Sequence, residues 1–441
     1  MAFTKILPAG ISTTGTVTLE RVETTNSIVS LGSTNQLYIN TDTPTVRPTL
    51  DLNFERDQRL DSRITFSRDS TATYLGSDGL IKTAQPNIPR FEFDTDGNSL
   101  GLLIEESRSN LFTYSEQFDN SAWSKTRTTV GVNSITAPDG TLTADKIIEN
   151  VGTSQDYILD ENATSSVATY TYSFFAKAGE RKHIRVSRST GNQTTFTHYY
   201  TLEDSGTVIG GGNIESYANG WYRCYGQTEV TGAGNAGFAI RLENSSTNSI
   251  YDGDGTSGFY IWGAQYELGS FPTSYIPTSG STVTRSADIA QITGTNFTDF
   301  YNASESTIFF ESGIAPVNNS KYFTFYGSDS GGTELIESAA VSGPGANIFT
   351  YADSTVYSNI SVTDASATKL KFAAGIKLND VNLAVNGTLG TTDDSATNPD
   401  AINKLIIGNY SSGNYYINTT IKRLTYYPER LSNAQLQNLT S

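Results

Sequence analysis

Imidazoles, paired carboxylates and aromatic rings are the side chains of this sequence that could do chemistry. His183 and His198 are its only histidines, so any His-dependent triad must use one of them. His183 shares a strand face with Arg185 and Ser187 in HIRVSRS, and His198 stands with Phe196 and Tyr200 in FTHYY. Neither lies beside a G-x-S-x-G nucleophile elbow, and both read as surface or partly buried strand histidines. Glycoside hydrolysis asks for less: two carboxylates about 5–9 Å apart. The nearest arrangements are Glu92, Asp94 and Asp96 in EFDTDG, and Glu334 and Glu337 in ELIES. The first lacks the final Glu of an alternating E-x-D-x-x-E pattern, and the second has too few acids, too far apart on a strand, so no catalytic residue is assigned and a non-enzymatic protein is expected.

Asp252 and Asp254 in YDGDGTSG put two carboxylates on one side of a Gly-rich loop, which suits a hard, oxygen-ligated cation. The EF-hand pattern fails, because position six from Asp252 is Ser257 and position twelve is Gly263. A tight polar turn is the other reading. Gly210–Gly212 and Gly331–Gly332 lack the Lys-Ser/Thr that completes a phosphate-binding loop, and read as hairpin turns. Sugar binding uses exposed aromatic faces flanked by Asn, Asp and Gln. Candidates are Tyr199, Tyr200, Tyr217 and Trp221, and then Tyr410, Tyr415 and Tyr416 in NYSSGNYY. Trp221 and Trp262 sit in alternating runs and read as core. NYSSGNYY has Gly/Ser/Asn flanks that imply a loop, where tyrosines would be exposed to a ligand or to a sister chain.

The elements that must position these residues are strands. Short apolar–polar alternations recur, separated by Gly, Asn, Asp and Ser. Tyr170, Tyr172 and Phe174 fall on one strand face, as do Phe238, Ile240 and Leu242, and Val381, Leu383 and Val385. Asn386-Gly387 between VNLAV and TLG predicts a type I′ hairpin. One helix is predicted, LSNAQLQNL, with Ser432 and Gln435 spaced as a capping box. Crossover helices for a parallel sheet are missing. The fold class is therefore all-β, with antiparallel β-sandwiches.

Four segments are expected. Residues 1–45, poor in large apolar groups, form an extended arm; residues 46–110 form a small β unit; residues 111–278 and 279–441 form two sandwiches. The chain carries 29 Lys+Arg against 45 Asp+Glu, a net charge of −16, which opposes nucleic acid and anionic membrane surfaces. One cysteine, Cys224, excludes an intrachain disulfide. No run approaches the ~18 apolar residues of a membrane span, and MAFTKILPAGIST lacks the features of a secretory signal.

ITFSRDSTATYLGSDGLIKTAQPNIPRFEFD and GLLIEESRSNLFTYSEQFDNSAWSK resemble a segment of bacteriophage virion proteins, particularly head-fibre and tail-fibre components. YDGDGTSGFYIWGAQYELGSFPTSYIPTSGSTVTRSADI is similar to the end of a jelly-roll module of the carbohydrate-binding kind. NFTDFYNASESTIFFESG, VNLAVNG and KRLTYYPERLSNAQLQNL resemble a concanavalin A-like (laminin-G-like) sandwich. The start, MAFTKILPAGIST, is similar to that of cyanophage structural proteins. The resemblance implies a homotrimeric virion protein, made in the host cytoplasm. Residues 1–45 would attach it to capsid or tail proteins, and residues 46–110 would help it trimerise. It implies outward β domains able to recognise host surface glycans, and structural calcium in either sandwich type. Within that frame three readings stand open: a structural fibre or decoration protein, a glycan receptor-binding protein, and a polysaccharide depolymerase.

Overall fold

The computed structural model describes Val22–Glu23, Ile28–Leu31, Leu37–Ile39 and residues 44–441, apart from 189–190, 246–247, 249, 314–319, 329–332, 342–344, 353–354, 365–368 and 411–414. The attachment arm expected over 1–45 lies almost wholly outside the described residues. Within it, Val22–Glu23, Ile28–Leu31 and Leu37–Ile39 pair antiparallel. The fold is all-β and antiparallel, as the alternation implied. The chain forms two compact units, one of residues 66–288 and one of residues 1–65 with 289–441. The separate small unit expected over 46–110 is not one body: its first strand joins the C-terminal sandwich, and residues 66–110 fall in the unit of residues 66–288.

The unit of residues 66–288 is a sandwich of two six-stranded sheets. One runs Ser124–Thr126, Ile158–Ser165, Gly234–Glu243, His183–Arg188, Thr197–Thr201, Thr207–Ile209. The other runs Thr128–Ile135, Ala144–Glu149, Gly258–Leu268, Ala168–Ala178, Tyr222–Val230, Asn213–Ser216. Phe112, Trp123, Tyr172, Phe174, Phe238 and Tyr266 fill the space between them. Gly210–Gly212, expected as a hairpin turn, carries the chain from the first sheet to the second instead. At Gly210 (φ +97°) any Cβ would stand 2.2 Å from the Thr197 carbonyl oxygen, which is why glycine is required there.

The second sheet is also apolar on its outer face. Phe175, Trp221, Trp262 and Tyr275 gather there with Ile81 and Ala137. Each ring brings about 150–250 Å² of surface to hide, and the Ala72–Leu75/Ile81–Ala84 hairpin lies in the segment that supplies Ile81. Hence residues 66–110 fold here rather than alone. Trp221 and Trp262 are 1% exposed, in keeping with their reading as core.

The same unit buries a charge network. The Asp288 carboxylate takes Arg68 Nη1 at 3.0 Å, Arg90 Nη2 at 2.5 Å and the Glu105 backbone N–H at 2.9 Å. Glu105 takes Arg90 at 2.7 Å, Arg285 at 3.5 Å, and the Ser274 N–H and hydroxyl at 2.8 and 2.7 Å. Burial alone would raise the Glu105 carboxyl, yet the Arg285 and Arg90 guanidiniums hold it down to about 2. These five residues come from FSRD, IPRF, LIEE and TRSAD, the segments that carry the sequence resemblance.

In the other unit one sheet runs Thr355–Thr363, Gly345–Ala352, Thr333–Ala340, Lys321–Ser328, Ile402–Ile407, Ile289–Thr293. The second contains Thr388–Leu389, Asn382–Val385, Lys371–Lys377, Glu305–Ser312 and Thr419–Tyr427, and Leu50–Asn53 pairs with the last of these. Phe310, Tyr322, Phe323 and Phe372 pack ring to ring inside. Asn386 and Gly387 both have positive φ (45° and 80°), as a type I′ turn requires. The helix Asn433–Thr440 starts at the predicted capping box and buries Leu436 against Ala373, Ala384 and Phe309.

Candidate functional site

Strand alternation builds one notable surface in the C-terminal sandwich. Thr333, Leu335, Glu337 and Ala339 point to the same side of Thr333–Ala340. Register sets Leu335 opposite Tyr351, Glu337 opposite Phe349 and Ala339 opposite Asn347. Lys321 sits opposite Ala339 on the other flank. The result is an open groove of about 780 Å³ with Tyr410 and Tyr415 in its wall.

The groove floor is polar at its centre. Lys321 Nζ lies 2.7 Å from Glu337 Oε1 and 5.7 Å from the Phe349 ring centre. Glu337 Oε2 has no hydrogen-bond partner. Asn347 Oδ1 accepts the Ala339 N–H at 2.9 Å, fixing the amide in place. Tyr410 and Tyr415 meet edge to face, 6.4 Å between centroids at 81°. Tyr415 is 56% exposed, and its carbonyl accepts the Lys321 N–H at 2.8 Å. That bond ties the NYSSGNYY segment to the strand that supplies the lysine. The groove joins flat aromatic surface to a fixed donor–acceptor pair.

The remaining candidates are scattered. Tyr416, one residue from Tyr415, is buried at 5% exposure and belongs to the interior. Tyr199 is half-buried on the outward face of the other unit, opposite Arg185 and Ile209. Tyr217 is half-buried with its ring edge-on to Phe175 at 5.0 Å, and burial pushes its hydroxyl up. Tyr200 is buried, its hydroxyl donating to the Tyr225 carbonyl. His183 is half-buried as expected, whereas His198 is core: it is 5% exposed, with Nδ1 2.5 Å from the Tyr172 hydroxyl. Tyr172 needs a polar partner inside the sandwich, and His198 supplies it.

Asp252 and Asp254 each accept hydrogen bonds from the protein itself. Asp254 Oδ1 accepts the Thr256 and Ser257 N–H groups and the Thr256 hydroxyl, and Oδ2 accepts the Ser257 hydroxyl. Those bonds hold its carboxyl well below the usual range. Asp252 accepts the Ser154 N–H at 2.8 Å. Among the described residues no three His, Cys, Asp or Glu side chains group so as to hold a metal ion. In EFDTDG, Asp94 accepts the Asp96 and Asn98 N–H groups of its own turn. Glu92 accepts the Leu75 N–H at 3.0 Å.

Lys321, Asn347 and Phe349 were not singled out by sequence, and Glu337 was weighed only as a catalytic acid. The period-two run from Thr333 to Ala339 was the available signal, but which strands flank it is a matter of long-range register. No helix among the described residues is long and apolar enough to cross a membrane.

Comparison with protein families and with curated proteins finds no match. Several solved structures are similar in part. The Ruminococcus gnavus IT-sialidase CBM40 bound to alpha2,3 sialyllactose matches with TM-score 0.27 and 15% identity, over 32% of this chain and 84% of that one. The native heptameric SAP-like pentraxin of Limulus polyphemus matches with TM-score 0.24 and 14% identity, over 32% and 70%. Domains LG4-5 of the mouse laminin alpha1 chain match with TM-score 0.21 and 10% identity, over 63% and 85%. TM-scores this low fix neither a fold family nor a function.

Proposed function

We propose that this is a non-enzymatic glycan-binding protein that holds an oligosaccharide in the groove formed by Lys321–Ser328, Thr333–Ala340 and Gly345–Ala352. One observation carries the reading: an aromatic wall, Tyr410 and Tyr415, stands beside the Lys321–Glu337 pair in a groove of about 780 Å³. Ring faces would pack on sugar C–H faces while the ion pair bonds vicinal hydroxyls. Glu337 is the one carboxylate among the described lining residues and it already pairs with Lys321, which favours binding over the two-carboxylate hydrolysis of glycosides.

The sequence resemblance supplies the setting of this proposal: a homotrimer on a bacteriophage particle, attached to capsid or tail proteins through residues 1–45. Single sites of millimolar strength would then act together through avidity. A glycan array probed with the full chain tests the reading. Retention on a subset of oligosaccharides, lost on Tyr415→Ala, is expected. Retention that survives Tyr415→Ala contradicts the assigned groove. Release of reducing ends from the array would replace binding by depolymerisation.

A further inference from the structure

Asn219-Gly220 and Asn386-Gly387 are the two Asn-Gly steps of the sequence. Both stand in tight turns with positive φ at each residue, 59° and 76° in the first and 45° and 80° in the second. An Asn-Gly step is chemically labile, because glycine has no Cβ to shield its backbone nitrogen from the side-chain amide beside it. Whether the step reacts depends on what holds that amide and that nitrogen in place.

At Asn386 both are held. Its Oδ1 accepts the Lys371 N–H at 2.9 Å, and its Nδ2 donates to Asp364 Oδ2 at 3.1 Å and to the Lys369 carbonyl at 3.2 Å. The Gly387 N–H donates to Thr440 Oγ1 at 3.0 Å. The turn between Asn213–Ser216 and Tyr222–Val230 is different. Asn219 and Gly220 are both exposed, and the Asn219 side chain bonds nothing among the described residues. Its carbonyl accepts Lys177 Nζ at 2.6 Å. That carbonyl belongs to the same peptide group as the Gly220 nitrogen. When the nitrogen gives up its proton, negative charge spreads onto this oxygen, where the ammonium stands to stabilise it.

We propose that Asn219 is a modification site: it deamidates spontaneously, with Lys177 as the activating cation. The Gly220 nitrogen loses its proton to water and bonds to Asn219 Cγ. The Cγ–Nδ2 bond breaks, Nδ2 takes up a proton, and ammonia leaves a five-membered imide behind. Water then opens the ring at either carbonyl, giving aspartate or isoaspartate; nothing is oxidised or reduced. Either product adds a carboxylate to a chain of net charge −16. Isoaspartate also inserts a methylene into the backbone between Tyr217 and Trp221, both of the outer apolar cluster. None of this depends on the glycan-binding groove.

Peptide mapping by mass spectrometry of the full chain, aged in mildly alkaline buffer, is the test. The Asn219 peptide should convert from amide to acid, as a mixture of aspartate and isoaspartate, while the Asn386 peptide stays intact. In chain unfolded by denaturant the two should convert alike. Lys177→Met should slow conversion at Asn219 about fivefold, the effect on a rate of losing one exposed charge-assisted hydrogen bond, and Lys177→Arg should keep it. No conversion at Asn219, equal conversion at both steps of the folded chain, or a preference for Asn219 that persists after unfolding overturns the proposal, and none of these outcomes needs a variant. A rate unchanged in Lys177→Met overturns the part given to the ammonium.

Discussion

Replacing Asp288 with asparagine tests the buried network that joins four distant segments. Asp288 faces two guanidiniums at 3.0 and 2.5 Å and one backbone N–H at 2.9 Å, with its side chain and those of Arg68 and Arg90 at 0% exposure. Three arginines, Arg68, Arg90 and Arg285, share two carboxylates; the substitution leaves Glu105 alone against all three. Asparagine retains the shape but aims N–H donors at guanidiniums. Removing one partner of a buried pair costs about 3–5 kcal/mol, and for a unit of this size that lowers the melting temperature by about 10 °C. Scanning calorimetry of the full chain at pH 7 should show the transition of the 66–288 unit falling by that amount. The fall should persist in concentrated salt, because a buried pair is screened far less than a surface one. A shift below about 2 °C, or one abolished by salt, refutes the claim that these charges lock the unit together.

Three further outcomes are expected. Burial pushes the Glu92 carboxyl up to about 8 from an unfolded value of 4.5, so the folded chain holds a proton that the unfolded chain releases between those values. Stability from this group is complete below pH 4.5 and fades as pH rises to 8, by up to about 1.4 kcal/mol per pH unit; thermal melts of Glu92→Gln should show a flatter decline between pH 4.5 and 8 than the parent, and parallel curves would contradict this. Tyr416→Ala should destabilise by about 3 kcal/mol as a buried ring is lost, whereas Tyr415→Ala should leave the denaturation midpoint unchanged; equal effects would show that the two tyrosines share one environment. Light scattering should give about three times the chain mass of 47.7 kDa, and a monomer would contradict the proposed trimer.

Much of the architecture was legible because it depends on local pattern. Alternation in TYTYSFFAK and GFAIRLE marks sandwich strands, Asn386-Gly387 marks its turn, and Ser432 with Gln435 marks the helix start. The site was legible in part: the Gly/Ser/Asn flanks of NYSSGNYY pointed to exposed tyrosines, and Tyr415 is exposed, yet Tyr416 beside it is buried, because the backbone turns at Tyr415, whose φ is +58°. Lys321 and Phe349 could not be joined to Tyr415 in advance, because register across three strands brings them together. The boundary at residue 110 failed for a related reason. The outer face of Phe175, Trp221 and Trp262 needs a cover, and nothing in those local sequences says that residues 66–110 provide it.

The most direct test of the glycan-binding assignment is the dissociation constant of the best array-positive oligosaccharide, measured by titration calorimetry on the full chain and on Glu337→Gln. Weakening of about tenfold is predicted, as when a charged hydrogen-bond acceptor is neutralised, together with a lower melting temperature, because Glu337 is buried against Lys321. An unaltered dissociation constant would mean that the sugar is bound elsewhere and that the groove beside Tyr415 is not the site.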